Sequence, residues 1–181
     1  MPRIPLSTEN AAFKRPRKLT NTDDLAGFTC GNEELDIWLT KYAFVSHQSG
    51  MARVFVSTVD SEDDEVAGFY ALATGGVEHD LAPQRVTKGV PRHPVPVTVL
   101  TRMGVATKYK RNGLGYALLR DALVRVNAAA DEVGIRALLI HAKNEEARAF
   151  YMSFAEFEPA PTDPLHLFLL MKDLRKALGT N

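Results

Sequence analysis

The sequence predicts a mixed α/β fold in a single domain, and three observations support this. Apolar patterns with the period of a helix and the period of a strand alternate along the chain. Hydrophobic residues make up 45% of the 181 residues and charged residues 24%, which is ordinary for a compact globular protein. A length of 181 residues fits one domain of the usual ~100 to 200 residues, so we expect residues 1–181 to form one domain.

The first half of the chain predicts a helix followed by a β-hairpin. Asn32 is a suitable helix cap, and acidic residues follow it in the first turn. Apolar side chains then recur at helical spacing as far as Gly50: Leu35, Trp38, Leu39, Tyr42 and Val45. We expect Trp38, Leu39 and Tyr42 to pack in the core or on a dimer surface. From Arg53 an alternating pattern predicts a strand, the acidic run 60–65 a turn, and residues 66–74 its partner strand.

The second half predicts two further core strands, each followed by a helix. Residues 97–105 are rich in β-branched side chains and predict a buried strand, and the apolar spacing of residues 118–133 predicts the helix after it. Residues 137–140 predict the second strand, and Asn144 opens a short helix that reaches Tyr151. Residues 165–171 predict a closing hairpin.

Composition indicates a reducing compartment and gives no sign of a membrane segment. Cys30 is the single cysteine, so it cannot form an internal disulfide. No stretch approaches the ~18 apolar residues of a membrane span, and residues 1–5 lack the apolar core of a signal peptide. We expect a cytoplasmic protein. We expect no metal, because the histidines lack ligand spacing: His47, His79, His141 and His166.

Charge is balanced overall but unevenly distributed. The 22 basic residues cancel the 22 acidic ones, so net charge gives no evidence for DNA or another nucleic acid. Residues 101–125, however, carry six basic side chains and one acidic one, which favours an anionic ligand. A second basic cluster at residues 14–18 fits a solvated tail and a nucleic-acid contact equally well.

The strongest local motif is a glycine-containing turn between the strand 97–105 and the following helix. Its residues are Lys110, Arg111, Asn112, Gly113, Leu114 and Gly115. Unpaired N–H groups at a helix start bind phosphate, and glycines allow a close approach. A plain connecting turn is the alternative. The turn lacks the Gly-Lys-Ser/Thr ending of a nucleotide P-loop. It also lacks the third glycine of a dinucleotide fingerprint, because Leu118 occupies that position.

The strand and turn resemble those of the GNAT acyltransferases, which use acetyl-coenzyme A. This resemblance implies a central, mostly antiparallel sheet with helices on both faces, and it implies that Lys110 through Gly115 bind the pyrophosphate. It also implies that the main chain of Met103 and Val105 binds pantetheine and that Asn144 lies beside the cofactor. The family usually has Arg or Gln at the position of Lys110. The lysine keeps the positive charge of an arginine but lacks its planar arrangement of hydrogen-bond donors.

The resemblance is closest to the acetyltransferase toxins of bacterial toxin/antitoxin modules and covers nearly the whole chain. It is carried by five stretches: residues 28–31 with 35–39, 53–56, 67–72, 94–97 and 136–151. It implies that Tyr151 is catalytic, that the substrate is the α-amino group of an aminoacyl-tRNA, that an antitoxin neutralises the protein, and that the chain forms a homodimer. The family commonly has Gly-Phe shortly after this tyrosine, whereas Glu156-Phe157 stands here.

The chemistry of a tyrosine side chain agrees with a role of Tyr151 as a general acid. The alternative is that Tyr151 is a buried aromatic residue with a structural role only. A phenol with a pKa near ~10 stays protonated at neutral pH and can donate to a departing thiolate. An α-amine titrates near ~8, so it needs no strong base, and the sequence offers no compelling carboxylate base. Cys30 is expected to be structural rather than a reactive thiol.

A transfer RNA substrate would also need basic contacts for its phosphates. The proline-rich loop 75–96 is expected to be irregular with at most a short helix. It supplies the candidates, since the toxins carry basic residues there: Arg85, Lys88, Arg92 and His93. Lys41 and Arg53 are weaker candidates, and solvated surface is the alternative for all of them. Two other functions stay open, namely an acetyltransferase acting on a small amine or a protein, and a non-catalytic coenzyme A-binding module.

Overall fold

The computed structural model describes residues 12–180, so the segment 1–5 discussed above lies outside the described residues. The strands are β1 (Arg17–Lys18), β2 (Arg53–Thr58), β3 (Val66–Val77), β4 (Val95–Val105), β5 (Ala137–His141), β6 (Glu158–Pro159) and β7 (His166–Leu170). The α-helices are α1 (Glu33–Ile37), α2 (Ala43–Ser49), α3 (Gln84–Thr87), α4 (Leu114–Ala130), α5 (Glu145–Phe154) and α6 (Met171–Leu178). Short 3-10 turns lie at His79–Leu81 and Thr107–Tyr109.

The strands form one mixed, mostly antiparallel sheet in the order β1-β2-β3-β4-β5-β7-β6, which confirms the α/β prediction. Strands β4 and β5 are parallel, with Val97 opposite Ala137, whereas β5 and β7 are antiparallel. The parallel pairing ends at Leu100 and Ile140, although both strands continue. The carboxyl ends of parallel strands are where open α/β sheets bind ligands.

The chain divides into two compact units. The first comprises the described residues up to Ala71 together with Arg102–Leu119, and the second comprises Leu72–Thr101 and the described residues from Arg120 onward. Within residues 12–180 no helix is long and apolar enough to cross a membrane.

In the first unit, the helix predicted after Asn32 is present but is not continuous. Asn32 caps α1 as expected, since its Oδ1 accepts from the N–H of Glu34 at 3.1 Å. A π-helical turn, Trp38–Tyr42, then joins α1 to α2. Because the helical periodicity of the apolar residues continues across it, no local pattern predicts this turn. Gly50 ends α2 at φ 80°, in the left-handed conformation typical of a helix end.

The basic cluster at residues 14–18 is partly built into the first unit. Arg17 and Lys18 form β1, which pairs with β2, and sequence analysis missed this strand. The Arg17 guanidinium binds both carboxylate oxygens of Asp23, at 2.6 and 3.0 Å, and Lys14 Nζ binds Asp64 at 2.8 Å. The cluster is therefore an edge strand with ion-paired side chains and not a solvated tail.

In the second unit, β5 and β7 are buried on both faces. Leu138, Ile140 and Leu167 are fully buried on one face. Alternate residues on the other face join an apolar cluster with Val86 of α3: Ala137, Leu139, Phe168 and Leu170. Burial on both faces explains why the strand reads as a continuous apolar run.

The predicted closing hairpin is present, because strands β6 and β7 pair. Met171, its last predicted residue, begins helix α6 instead, and this helix was not predicted. The Arg175 side chain in α6 donates to Asn127 Oδ1 in α4 at 3.0 Å. The loop 75–96 contains one short helix, α3 at Gln84–Thr87, as the prediction allowed, and β3 extends into the loop as far as Val77.

Candidate active site

The glycine turn of the first unit has the geometry of an anion-binding helix start. After the 3-10 turn Thr107–Tyr109, Arg111 and Gly113 adopt positive φ values of 63° and 78°, and α4 begins at Leu114. A positive φ is strained for arginine, so the surrounding turn must hold it. The first N–H groups of a 17-residue helix lack intrahelical partners and carry the positive end of its dipole. This backbone fits a pyrophosphate.

The turn is fixed to the loop before α1. Lys110 Nζ donates to the carbonyl of Cys30 at 2.6 Å, and the N–H of Thr107 donates to the carbonyl of Thr29 at 2.8 Å. Lys110 therefore orders the turn and adds positive charge to it. The exposed Arg111 and Asn112 side chains are left on the outer side of the turn.

Strand β4 packs tightly just before this turn. A Cβ on Gly104 would lie 2.9 Å from Phe69 Cε1 and 3.4 Å from Cys30 Sγ, so this position requires a glycine. Met103 and Val105 flank it and are half-buried. Sequence analysis missed Gly104, whose need for a small residue arises only from the residues packed over it.

Cys30 is buried and structural, as expected. Burial is the main cause that raises the pKa of its thiol to about 11, and the neighbouring Asp36 raises it further. A thiol with this pKa is protonated at neutral pH and is a poor nucleophile. The Asp36 carboxylate instead accepts from the N–H of Cys30 at 2.8 Å.

Tyr151 lies in the second unit on α5, whose start is capped by Asn144. The Asn144 Oδ1 accepts from the N–H of Ala147 at 2.9 Å. Tyr151 is seven residues, or two turns, further along and so faces the same side of the helix. It is only 8% exposed, and burial raises the pKa of its hydroxyl to about 12. The hydroxyl is therefore a stable proton donor at neutral pH.

Two aromatic rings position Tyr151. Phe150 packs edge-on against it with ring centroids 5.3 Å apart, and the Phe157 ring lies 6.3 Å away. Phe157 is 3% exposed, so the chain keeps a buried aromatic where the resembling family has Gly-Phe. The glutamate at 156 binds Lys176 at 2.9 Å.

The four basic residues of the proline-rich loop differ in their surroundings. Arg85 pairs with Glu158 and binds Asp173 Oδ2 at 2.9 Å, so its charge already has partners inside the second unit. Lys88 and His93 are exposed. Arg92 is 82% exposed and lies 3.5 Å from Asp80. The structure thus leaves three basic side chains of this loop facing solvent.

Two histidines of the second unit form a stacked pair. The rings of His141 and His166 lie 4.1 Å apart, and His166 Nε2 lies 3.4 Å from Asp163. Burial, followed by the neighbouring His166, lowers the pKa of His141. In the part of the chain that the structure describes, no group of three or more His, Cys, Asp or Glu side chains could hold a metal ion.

A turn that fits pyrophosphate and a buried, protonated tyrosine are the parts required by an enzyme that transfers an acyl group from a coenzyme A thioester. Residues 19–157 match the model of the acetyltransferase (GNAT) family. The chain belongs to this family.

Relatives and solved structures show which members of the family the chain is similar to. The chain is 48% identical to the "tRNA-acetylating toxin" of Mycobacterium tuberculosis (strain ATCC 25618 / H37Rv), over 93% of this chain and 99% of the relative. It is similar to AtaT complexed with acetyl-methionyl-tRNAfMet, with a TM-score of 0.82, 27% identity and coverage of 91% and 98%. It is also similar to a Tyr-to-Phe variant of AtaT bound to the C-terminus of the antitoxin AtaR and acetyl-CoA, with a TM-score of 0.76, 25% identity and coverage of 91% and 96%.

Proposed function

We propose that this enzyme transfers the acetyl group of acetyl-coenzyme A to the α-amino group of aminoacyl-tRNA in the cytoplasm, blocks translation, and is neutralised by a separate antitoxin. The observation that carries the proposal is the 48% identity to a tRNA-acetylating toxin along nearly the full length of both chains. A homodimer of one-domain subunits is part of the proposal.

The turn Lys110–Gly115 would hold the donor. Gly113 and Gly115 bring the backbone close to the pyrophosphate, and the side chains of Lys110 and Arg111 add positive charge. Asn112 and Leu114 contribute main-chain N–H groups. On β4 the main chain of Met103 and Val105 would bind pantetheine, and Asn144 at the start of α5 would lie beside it. Acetyl-coenzyme A supplies a thioester whose carbonyl carbon is attacked by an amine.

Tyr151 would protonate the leaving group. In the transfer a C–N bond forms, the C–S bond breaks, the nitrogen loses a proton and the thiolate gains one. Burial keeps the Tyr151 hydroxyl protonated, with a pKa of about 12. The proton would be delivered as the C–S bond breaks, when negative charge develops on the sulfur.

An α-amino group suits a site with an acid but no carboxylate base. Its pKa near ~8 leaves a substantial fraction deprotonated at neutral pH, whereas a lysine side chain near ~10.4 is almost fully charged. This difference favours an aminoacyl ester over a protein lysine. Lys88, Arg92 and His93 would contact tRNA phosphates, and Arg85 would hold their loop through Glu158 and Asp173.

The proposal is tested by acetyl transfer from labelled acetyl-coenzyme A to a pool of aminoacylated tRNAs, followed by mass spectrometry of the released amino acids. Uncharged tRNA and free amino acids are the substrate controls. Tyr109→Phe is a matched control for Tyr151→Phe, because it also removes one hydroxyl, which here binds Glu65 at 2.8 Å. We expect N-acetylated amino acids from charged tRNA only. Transfer to a small amine or a protein but not to charged tRNA would refute the substrate, and no transfer with any amine would refute the enzyme.

A further inference from the structure

Strand β5 ends at a histidine that has no role in the mechanism described above. The parallel pairing of β5 with β4 ends at Ile140, so His141 is the first residue of β5 without a partner in β4. On its other edge, His141 pairs with His166 of β7. Ligands of open α/β sheets bind at the carboxyl ends of parallel strands, so the position of His141 favours contact with a bound substrate.

The ring of His141 is supported on one face and open at its nitrogens. Residues that lie opposite each other in antiparallel strands bring their side chains together, and the rings of His141 and His166 stack with their planes 23° apart. Among residues 12–180, no group forms a hydrogen bond with either ring nitrogen of His141. The rest of the residue is exposed to solvent, so these nitrogens are available to a substrate.

The loop before β7 holds the histidine pair in place. His166 Nε2 lies 3.4 Å from Asp163 Oδ2, and the other oxygen of this carboxylate accepts from the N–H of Leu165 at 2.9 Å. The carbonyl of Leu165 accepts from the N–H of Ala142, the residue after His141, at 2.8 Å. His166 is therefore fixed to β5 and in turn orients the ring of His141.

Helix α5 is bonded to the same loop from the face that carries Tyr151. The Nε of Arg148 donates to the carbonyl of Pro164 at 3.1 Å. Arg148 and Tyr151 are three residues apart and so share one face of the helix. The histidine pair and the proposed acid thus belong to one hydrogen-bonded part of the second unit.

The surroundings of His141 keep its imidazole neutral at pH 7. Burial, followed by the nearby His166, lowers the pKa of His141, and Asp163 only partly opposes this shift. On α5, Arg148 and Glu145 form an ion pair with each other at 3.5 Å. A neutral imidazole with an open nitrogen is a proton acceptor.

Acetyl transfer to an amine requires such an acceptor. As the C–N bond forms, the attacking nitrogen becomes positively charged. Unless it loses a proton, this nitrogen leaves the tetrahedral adduct again in preference to the thiolate. Tyr151 is protonated and donates to the sulfur, so it cannot accept this proton as well.

We propose that His141 accepts the proton of the attacking amine and that His166 positions its ring. An N–H bond of the substrate breaks, and an N–H bond forms on the imidazole of His141. Tyr151 gives its own proton to the sulfur as the C–S bond breaks. Proton exchange with water then restores the imidazole and the tyrosine hydroxyl. The amine is that of the proposed function, so the inference rests on that proposal and adds the base that it lacks.

The pH dependence of His141→Gln tests this role. At pH 7.5 its kcat/KM for charged tRNA should be about tenfold to a hundredfold below wild type, with the acetyl-CoA affinity changed less than about twofold. The ratio of wild type to variant should shrink towards about 1 as the pH falls to about 5, because protonation of His141 disables the wild-type base. This ratio cancels the titration of the substrate amine, which both proteins share.

Two further variants separate the base from a structural residue. His166→Gln keeps the base, but it should move the pH dependence to higher pH because a group that lowers the pKa of His141 is gone. Added imidazole should restore part of the rate of His141→Ala and none of the rate of Tyr151→Phe. His79→Gln is the matched control, since His79 also lies in the second unit beside a carboxylate, 3.6 Å from Asp80.

Each outcome decides the assignment. A rate of His141→Gln within threefold of wild type at pH 7.5, or a ratio that does not change with pH, would overturn it. If the wild-type enzyme acetylates a small amine or a protein instead of charged tRNA, the same ratio measured with that amine decides the base, and only the proposed substrate fails. An enzyme that acetylates no amine would overturn both proposals.

Discussion

The turn before α4 and the helix α5 would contribute to the proposed site in opposite ways. The turn relies on backbone geometry, with positive φ values at Arg111 and Gly113, and its lysine is used to fix it to the Cys30 carbonyl. Helix α5 instead carries one buried hydroxyl, that of Tyr151, among aromatic rings. A site built from the backbone tolerates changes of side chain but not changes of backbone conformation. A site built from one side chain is instead lost when that side chain is replaced. Binding and chemistry should therefore be separable by mutation.

The largest effect is expected at Tyr151. Tyr151→Phe keeps the ring in place but removes the proton donor, so kcat should fall about 10²- to 10⁴-fold. The dissociation constant for acetyl-CoA should change less than about twofold. Single-turnover kinetics and calorimetric titration measure the two quantities. A kcat within threefold of wild type would show that the hydroxyl is not the acid.

Gly113→Val should have the converse effect. A β-branched residue at φ 78° is strongly disfavoured, with a cost of about 1 to 2 kcal/mol, so the turn must rearrange. We expect acetyl-CoA affinity to fall about tenfold or more, with a smaller change in kcat at saturating donor. Gly134→Val is the matched control, because a Cβ there meets nothing within 4 Å and its φ is not positive. Equal effects of the two substitutions on affinity would contradict a backbone site.

Cys30 gives an effect that depends on pH. Its pKa is about 11 in the folded protein against 9.0 for a solvent-exposed thiol, so the unfolded chain loses this proton at a lower pH than the folded chain. Stability from this group is full below pH 9 and is lost as the pH rises towards 11. As the pH rises from 8.5 to 11, the free energy of unfolding should therefore fall less for Cys30→Ala than for the wild-type protein, as measured by urea unfolding. Native Cys30 should also react with a thiol reagent far more slowly than the unfolded protein at pH 8.

A smaller effect is expected at Lys110. Lys110→Met removes the bond to the Cys30 carbonyl and one positive charge, so acetyl-CoA affinity should fall about threefold to tenfold and stability by about 1 kcal/mol. Lys110→Arg should retain most of the affinity. If Lys110→Met bound acetyl-CoA as tightly as wild type at low and high salt, the lysine would have only a structural role.

The sequence predicted the parts of the fold that depend on local pattern. The core strands 97–105 and 137–140, the helix after the turn and the Asn32 and Asn144 caps all follow from periodicity and capping residues, and the structure contains each of them. Strand β1 was missed because Arg17 and Lys18 are charged, and only their pairing with β2 makes them a strand. Helix α6 was missed because it follows β7 directly and no capping side chain marks its start.

Contacts between residues distant in sequence could not be predicted. The ion pairs of Arg85, for example, join it to Glu158 and Asp173, which lie more than seventy residues away along the chain. The pairing of Arg102 with Trp38 likewise depends on how β4 packs against the π turn. The roles of Tyr151 and of the turn came from the resemblance to a family rather than from the pattern, because a tyrosine beside a phenylalanine is ordinarily core.

The most direct test of the contrast between the two sites is to measure acetyl-CoA affinity and single-turnover acetyl transfer to charged tRNA side by side for Tyr151→Phe and Gly113→Val. We expect Tyr151→Phe to bind the donor normally and transfer at least about a hundredfold more slowly. We expect Gly113→Val to bind about tenfold more weakly and to recover most of its rate at saturating donor. Loss of affinity in the tyrosine variant with no loss of rate, or loss of rate but not of affinity in the glycine variant, would contradict the division of binding and chemistry between these two sites.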